Sequence, residues 1–299
     1  MRSPHFSPAQ NLSTPLEPGG LRVARAQTTL GVQHSVHATA FRRIEAAVAS
    51  SCGSQHGRNE DAHSALDHLG ALFVVADGVG GGAMAQLASR LLVDHLHAAL
   101  ADVPLDADHV RRAMLGADRA IAERIARVTA DPGAATVALC APVNLWASRW
   151  LLAWVGDCRV YRLAMAGQRE IEPLTRDDTF RHLGELPPAG GSLDDPARMV
   201  GNGAIAGANV ALLGLACGDL LALCSDGVHK HIDGPSWRRV LMQPTSLAER
   251  CTELIALARS NGSADDATVL VVQRTGLTLP RPRWMAHADA AGDPPRNVP

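Results

Sequence analysis

Apolar residues in this chain form short unbroken runs and longer segments that repeat every three to four positions. The short runs, bounded by Gly, Asp or Asn, predict strands over 43–51, 71–76, 134–140, 150–156, 158–164, 219–224 and 267–273. The helical repeat predicts helices over 83–101, 107–129 and 247–260. Because strands and helices do not alternate strictly, an α+β layered fold is favoured over a parallel doubly wound sheet.

Two local patterns predict a helix start and a tight connection between strands. Ser246 and Glu249 have the spacing of a capping box at the start of the third helix. Asp157 lies between two predicted strands that almost touch in sequence, which predicts a tight, hairpin-like connection.

The two ends of the chain lack sustained periodicity. Residues 1–40 are rich in Pro, Ser, Thr, Gln and Gly, and residues 276–299 contain five prolines. Such compositions predict a disordered or loosely packed N-terminal segment and a Pro-rich C-terminal tail. The residues between them, 41–275, are expected to form one domain.

Composition narrows the class of protein. The 299 residues are 46% hydrophobic and 19% charged, which is ordinary for a globular protein, and the net charge of −2 gives no reason to expect nucleic acid or an anionic membrane as a partner. No segment reaches the ~18 apolar residues of a membrane span, and the N-terminus lacks a secretory pattern.

The six cysteines form no CxxC pair, so we expect no zinc site and a reducing cytoplasm, although their even number leaves disulfides open. Lys230 is the only lysine, a compositional bias to which we attach no function.

Acidic residues recur in or beside the ends of predicted strands, and one pair, Glu60–Asp61, lies in a loop. They are Glu60–Asp61, Asp77, Asp157, Asp226 and Asp265. An apolar strand fixes the position of a carboxylate at its tip, so several tips can converge on hard divalent cations, which prefer oxygen ligands. Without cations, carboxylates this close would repel one another and raise each other's pKa.

Six segments, in this order, resemble the motifs of the metal-dependent protein serine/threonine phosphatases of type 2C, bacterial type. They are Asn59–Ala62, Val75–Gly81, Val155–Arg162, Leu174–Thr179, Gly218–Gly227 and Asp265–Val269. The resemblance covers roughly residues 44–273. It implies a sandwich of two antiparallel β-sheets flanked by α-helices, with Mn²⁺ or Mg²⁺ in a cleft at one end and a variable flap over residues 180–207.

The resemblance also implies a set of metal ligands: Glu60, Asp61, Asp77, Gly78 through its carbonyl, Asp157, Asp226 and Asp265. Asp77 would bridge two ions, and Asp226 and Asp265 would complete the second. The Glu60–Asp61 pair would hold the first ion through water. Asp157, together with Asp226, would hold a third and weaker ion.

The function that the resemblance implies is hydrolysis of phosphoserine and phosphothreonine in a phosphoprotein, by a metal-activated water and in signalling opposite a bacterial Ser/Thr kinase. Asp77, Asp226 and Arg58 are the expected catalytic residues. Two such ions lower the pKa of water and neutralise phosphoryl oxygens. A substrate variant, in which the phosphoprotein is an anti-sigma antagonist of a partner-switching system, stays open.

One departure from the family pattern affects substrate binding. Family members carry an Arg four residues before the motif's Glu, which binds the substrate phosphate; here that position is His56, and Arg58 lies two residues before Glu60. We favour Arg58, because a guanidinium offers bidentate phosphate contacts, with His56 as the alternative. The displaced Arg also motivates a second hypothesis, a catalytically weak pseudophosphatase that acts as a regulatory binding module. Retention of all the acidic positions favours the enzyme.

Overall fold

The computed structural model describes residues 30–39, 41–66, 71–101, 103–129, 133–167, 169–203, 205 and 207–276. The strands within these ranges are β1 (Leu30–Ala38), β2 (Arg43–Ser51), β3 (Ala62–His63), β4 (Phe73–Val79), β5 (Ala134–Pro142), β6 (Arg149–Val155), β7 (Arg159–Leu163), β8 (Ile171–Pro173), β9 (Asn209–Gly214), β10 (Leu220–Cys224) and β11 (Ala267–Thr275). The helices are α1 (Ala83–Leu100), α2 (Ala107–Ala126), α3 (Phe180–Leu183), α4 (Asp226–His229), α5 (Gly234–Leu241) and α6 (Leu247–Ser260).

The strands form two sheets in which the paired neighbours are antiparallel. One sheet has six strands in the order β1-β2-β11-β10-β7-β8, and the other has five in the order β3-β4-β5-β6-β9. The predicted α+β sandwich is therefore confirmed.

Three apolar clusters hold four layers together. The cluster between the sheets includes Ile44, Phe73, Trp150, Leu223 and Leu270. A second cluster packs α1 and α2 on the five-stranded sheet, and a third packs α4, α5 and α6 on the six-stranded sheet. Both faces of each sheet are thus covered, which explains why the central strands are unbroken apolar runs rather than alternating ones; β5 is buried along its whole length.

The seven predicted strands and three predicted helices are all present, with ends shifted by a few residues. The capping box of α6 is also confirmed: Ser246 Oγ accepts from the Glu249 N–H, and Glu249 Oε2 accepts from the Ser246 N–H at 2.9 Å. The sequence reading missed the short elements β3, β8, α3 and α4, the eight-residue α5, and the edge strands β1 and β9.

One prediction about boundaries is wrong. Residues 30–38, assigned to the loose N-terminal segment, form β1, which pairs with β2 along its whole length. Most side chains of β1 are exposed, so its apolar signal is weak, but Leu30, Val32 and Val36 alternate with smaller or polar residues as strand residues do. The domain therefore begins at or before Leu30. The rest of the segment 1–40, and the tail from 277, lie outside the described residues.

The connection through Asp157 is tight but is not a hairpin, because β6 and β7 belong to different sheets. Gly156 makes this crossing possible: its φ is 90°, and a Cβ there would lie 2.5 Å from Thr136 Cβ. The crossing carries Asp157 to the boundary between the two sheets.

Antiparallel pairing brings the acidic strand tips to one end of the sandwich. Cys224 at the end of β10 pairs with Arg159 at the start of β7 and with Val269 near the start of β11. In the other sheet, Asp77 pairs with Thr136 near the start of β5, and Val155 at the end of β6 pairs with Val137. Since antiparallel neighbours place the end of one strand beside the start of the next, the segments that carry the acidic residues meet there.

A search of the described helices found none that combines the length and the apolar character needed to cross a membrane.

Candidate metal centre

Asp77, near the end of β4, lies at the centre of the acidic cluster. Its pKa is raised well above the usual range, first by burial and then by the charges of four neighbouring carboxylates. Those neighbours are Asp61, Asp226, Asp157 and Asp265. The structure therefore brings these five predicted ligands close enough for the charges of the other four to act on Asp77.

Asp61 is fully enclosed although the sequence places it in a loop. Its Oδ2 accepts a hydrogen bond from Ser225 Oγ at 2.7 Å, while its Oδ1 is buried and has no hydrogen-bond partner in the part of the chain that the structure describes. Burial, together with nearby acidic charge, raises the pKa of Asp61 to about 8. A buried carboxylate oxygen with no donor is a costly arrangement unless a cation compensates it.

Glu60 joins its loop to the first turn of α1. Its Oε1 accepts from the Gly82 N–H at 2.5 Å, and its backbone carbonyl accepts from Ser89 Oγ at 2.6 Å. Gly78 lies in the same corner, where a Cβ would come within 2.4 Å of the Ala85 carbonyl oxygen. Only a glycine lets β4 approach α1 this closely.

Asp157 and Asp226 share one cation, the ammonium of Lys230. Its Nζ lies 2.7 Å from Asp226 Oδ2 and 3.5 Å from Asp157 Oδ2. Burial would raise the pKa of Asp226, but the charge and hydrogen bond of Lys230 outweigh it and lower that pKa. Asp157 is more deeply buried, and burial followed by the charge of Asp226 raises its pKa to about 6. The sequence reading gave Lys230 no role, because its contact with Asp157 depends on the crossing between sheets.

Asp266 is a second residue that the sequence reading missed. Its Oδ1 accepts from the Gly53 N–H at 2.6 Å, and its Oδ2 accepts from the Glu60 N–H at 2.6 Å and lies 3.1 Å from His56 Nδ1. These contacts fasten the loop over 53–60 to the start of β11. Asp266 stands where the family motif usually has Asn, and nothing in the sequence indicated that it would anchor this loop.

His56 and Arg58, the alternatives for phosphate binding, lie in different surroundings. His56 Nδ1 is 3.6 Å from Asp265 Oδ1, beside the acidic cluster. Burial lowers the pKa of His56, but the hydrogen bond to Asp266 and the surrounding acidic charge raise it more. Arg58 is exposed and, within the described residues, forms no ion pair. The structure thus ties His56 to the acidic residues, whereas Arg58 makes no such ion pair among the described residues.

His56, Asp265 and Asp266 present ligand atoms within 4.8 Å of one another. The Asp266 oxygens are already engaged by backbone N–H groups, so Asp266 acts as an anchor in this trio. Asp265 is half exposed and remains available to a cation.

The segment over 180–207 begins at the turn that carries Asp157. The Asp178 N–H donates to the Gly156 carbonyl at 2.8 Å, and α3 follows directly. Farther on, Asp118 of α2 accepts from the Gly201 N–H at 2.6 Å. Asp194, between these anchors, has its pKa lowered first by a hydrogen bond from Arg181, whose Nε lies 2.6 Å from Asp194 Oδ1.

The donor set fits hard divalent cations. Every side-chain ligand that the resemblance implies offers only oxygen, and one buried carboxylate oxygen, Asp61 Oδ1, has no hydrogen-bond partner among the described residues. Burial, and then repulsion from the neighbouring carboxylates, holds the pKa of Asp77 high. Bound cations would remove both sources of unfavourable energy.

Comparisons with known proteins agree with this geometry. The family model described as protein phosphatase 2C matches residues 49–262. The serine/threonine protein phosphatase PstP of Mycobacterium tuberculosis is 31% identical over 237 residues, which cover 75% of this chain. This chain therefore belongs to the protein phosphatase 2C family.

Solved structures show the same fold. The crystal structure of the M. tuberculosis serine/threonine phosphatase PstP/Ppp has a TM-score of 0.67 at 25% identity, covering 78% of this chain and 99% of that chain. The catalytic domain of PstP in complex with two manganese ions has a TM-score of 0.65 at 24% identity, covering 83% and 100%. The chain spans only 44% of the length of the curated PstP sequence.

Proposed function

We propose that this protein is a metal-dependent serine/threonine phosphoprotein phosphatase. The observation that carries the proposal is the convergence of oxygen-only ligands on one end of the sandwich, where the buried Asp61 Oδ1 lacks a hydrogen-bond partner among the described residues. Membership of the protein phosphatase 2C family supports the same activity. The manganese complex of the PstP catalytic domain supports two Mn²⁺ ions as the cofactor, with Mg²⁺ as the alternative.

Asp77 would be the bridging ligand, because it faces four other carboxylates. Asp226 and Asp265 would complete the ligands of one ion, and the Glu60–Asp61 pair would hold the other. The Gly78 carbonyl would be a ligand of one of the two ions. When bound, the two ions would acidify a water molecule and neutralise phosphoryl oxygens. The carboxylates would hold the ions in fixed positions, since each sits on a strand tip or a hydrogen-bonded loop and has little freedom to move.

His56 is better placed than Arg58 to contact the substrate phosphate. Its Nδ1 is held by Asp266, which leaves Nε2 as the ring nitrogen free to donate, and the acidic surroundings favour the protonated ring. We therefore assign the main contact with the substrate phosphate to His56 and a weaker contact to Arg58. This assignment reverses the sequence-based preference for Arg58.

The substrate we propose is a phosphoprotein phosphorylated by a bacterial Ser/Thr kinase, in a signalling pathway of the cytoplasm. PstP, the relative named above, is a serine/threonine protein phosphatase. All six cysteines are free thiols, as expected in a reducing compartment.

Hydrolysis assays test this function. Purified protein should hydrolyse p-nitrophenyl phosphate and a phosphothreonine peptide with Mn²⁺ or Mg²⁺, and it should lose turnover in EDTA. The variant Asp226→Asn should lose turnover at every metal concentration. Folded protein that turns over neither substrate with any metal would reject the phosphatase and favour the binding-module hypothesis.

A further inference from the structure

Lys230 lies between Asp157 and Asp226, the two carboxylates that the family resemblance pairs as ligands of a third metal ion. The ammonium donates a hydrogen bond to Asp226 Oδ2 at 2.7 Å and forms an ion pair with Asp157 Oδ2 at 3.5 Å. A positive charge of this chain therefore already stands where that third ion would be held.

Local structure fixes the lysine in this place. Asp226 and Lys230 are four residues apart at the two ends of α4, so their side chains share one face. Asp157 arrives from the β6–β7 crossing, and its backbone carbonyl is 2.9 Å from His229 Nε2, so the crossing is tied to α4 beside Lys230. The Lys230 side chain, 43% exposed, reaches both carboxylates from the rim of the site.

Asp157 depends on this contact for charge compensation. Its side chain is only 3% exposed, and its Oδ2 has no hydrogen-bond partner. In the part of the chain that the structure describes, no Arg forms an ion pair with Asp157 or Asp226. A buried carboxylate needs a cation nearby, and Lys230 is the cation that the fold supplies.

The residue type also fits the position. Lys230 is the only lysine among 28 basic residues. Arginine binds one carboxylate with its planar fork, as Arg159 does with both oxygens of Asp177 at 2.8 and 2.7 Å. A compact ammonium has no such plane and can face two carboxylates on different elements, which is the geometry that metal ions also satisfy.

We propose that the Lys230 ammonium is a built-in substitute for the third cation, so that the metal centre of this chain holds two divalent ions and excludes another. A divalent ion held by Asp157 and Asp226 would lie a few ångströms from the ammonium, where two positive charges repel strongly in a partly buried site. The inference rests on the proposed function for the other two ions.

Counting bound ions tests this inference without an activity assay. Wild-type protein and variants are dialysed to equilibrium against millimolar Mn²⁺, and the bound metal per chain is measured by mass spectrometry. We expect two ions for the wild type and three for Lys230→Met, a variant that keeps the length of the side chain and removes its charge. Lys230→Arg, which keeps the charge, should bind two.

Two further variants locate the additional ion. Lys230→Met combined with Asp157→Asn should return the count to two, because the third ion loses a buried ligand. Arg239→Met removes an exposed charge that pairs with Glu253 at 3.4 Å on α6, away from the centre, and should leave the count at two. Circular dichroism of each variant verifies that it is folded, and Lys230→Gln replaces Lys230→Met if the latter does not fold.

The outcomes separate this inference from the function on which it rests. A wild type that binds three ions, or an uncharged Lys230 variant that binds only two, would overturn the substitution while leaving the two-metal phosphatase intact. A wild type that binds no Mn²⁺ would overturn the proposed function itself.

Discussion

At the residue scale, the chain places several like charges where each one destabilises the metal-free fold. Asp77 and Asp61 both have raised pKa values, with burial as the largest cause. Such a cluster is retained in a folded protein when ligand binding repays its cost. Function and stability should therefore respond in opposite directions when one of these charges is removed.

We expect Asp77→Asn to lower turnover of a phosphothreonine peptide by about two to four orders of magnitude, because a bridging ligand supplies several kcal/mol of charge stabilisation through the ions. In EDTA, the same variant should melt at a higher temperature than the wild type, because a buried repulsive charge is gone. Steady-state kinetics and thermal melts measure the two effects. Wild-type turnover in the variant would rule out the assignment of Asp77.

The phosphate contact can be assigned by comparing two neighbouring residues. His56→Ala should raise KM for the phosphopeptide by about tenfold, the size of a charge-assisted hydrogen bond. Arg58→Ala should raise KM less, because its side chain is exposed. If Arg58→Ala has the larger effect, the guanidinium reaches the phosphate in the bound state and the sequence-based preference was right.

At the scale of elements, the site is an assembly of strand tips fastened to one another by buried side chains. Asp266 ties the loop over 53–60 to β11, and Ser225 ties the start of α4 to Asp61. The loop that carries Glu60 and His56 therefore has a defined position before any ion binds.

Asp266→Ala should lower the free energy of unfolding in EDTA by about 3 kcal/mol, because two buried backbone N–H groups lose a charged acceptor. Urea denaturation measures this loss. The matched control is Asp265→Ala, which removes the adjacent, half-exposed carboxylate and should cost little or be stabilising in EDTA. Equal losses for the two variants would mean that Asp266 does not anchor the loop.

Helices and strands could be predicted from the sequence wherever their residues are buried. Unbroken apolar runs located β5 and β10, and a periodic stripe located α2, because their residues are buried in the core. Edge strands β1 and β9 were missed because many of their residues are exposed. The six motifs predicted which acidic residues lie near one another, whereas the contacts of Asp266 and Lys230 depend on how distant segments pack, which spacing along the chain does not encode.

At the scale of the whole molecule, the acidic cluster should give the metal-free protein an inverted pH dependence. The pKa of Asp61 is raised from 3.8 to about 8, and that of Asp157 from 3.8 to about 6. At pH values between 3.8 and these raised pKa values, the folded state binds more protons than the unfolded state. The free energy of unfolding therefore falls as pH rises.

In EDTA, the melting temperature should therefore decrease between about pH 5 and pH 8. With saturating Mn²⁺ it should stay constant or rise over the same range, because the ions replace the protons. Thermal melts at fixed ionic strength record both curves. A metal-free melting temperature that increases with pH would show that the carboxylates do not crowd one another in the folded state.

Anomalous diffraction from Mn²⁺-soaked crystals would reveal whether strand tips from two sheets converge on a pair of cations. We predict two peaks about 3.5–4 Å apart, both beside Asp77, one contacting Asp226 and Asp265 and the other beside Glu60 and Asp61. No peak should lie between Asp157 and Asp226, where Lys230 stands. Well-ordered crystals with no manganese peak beside Asp77 would contradict the account.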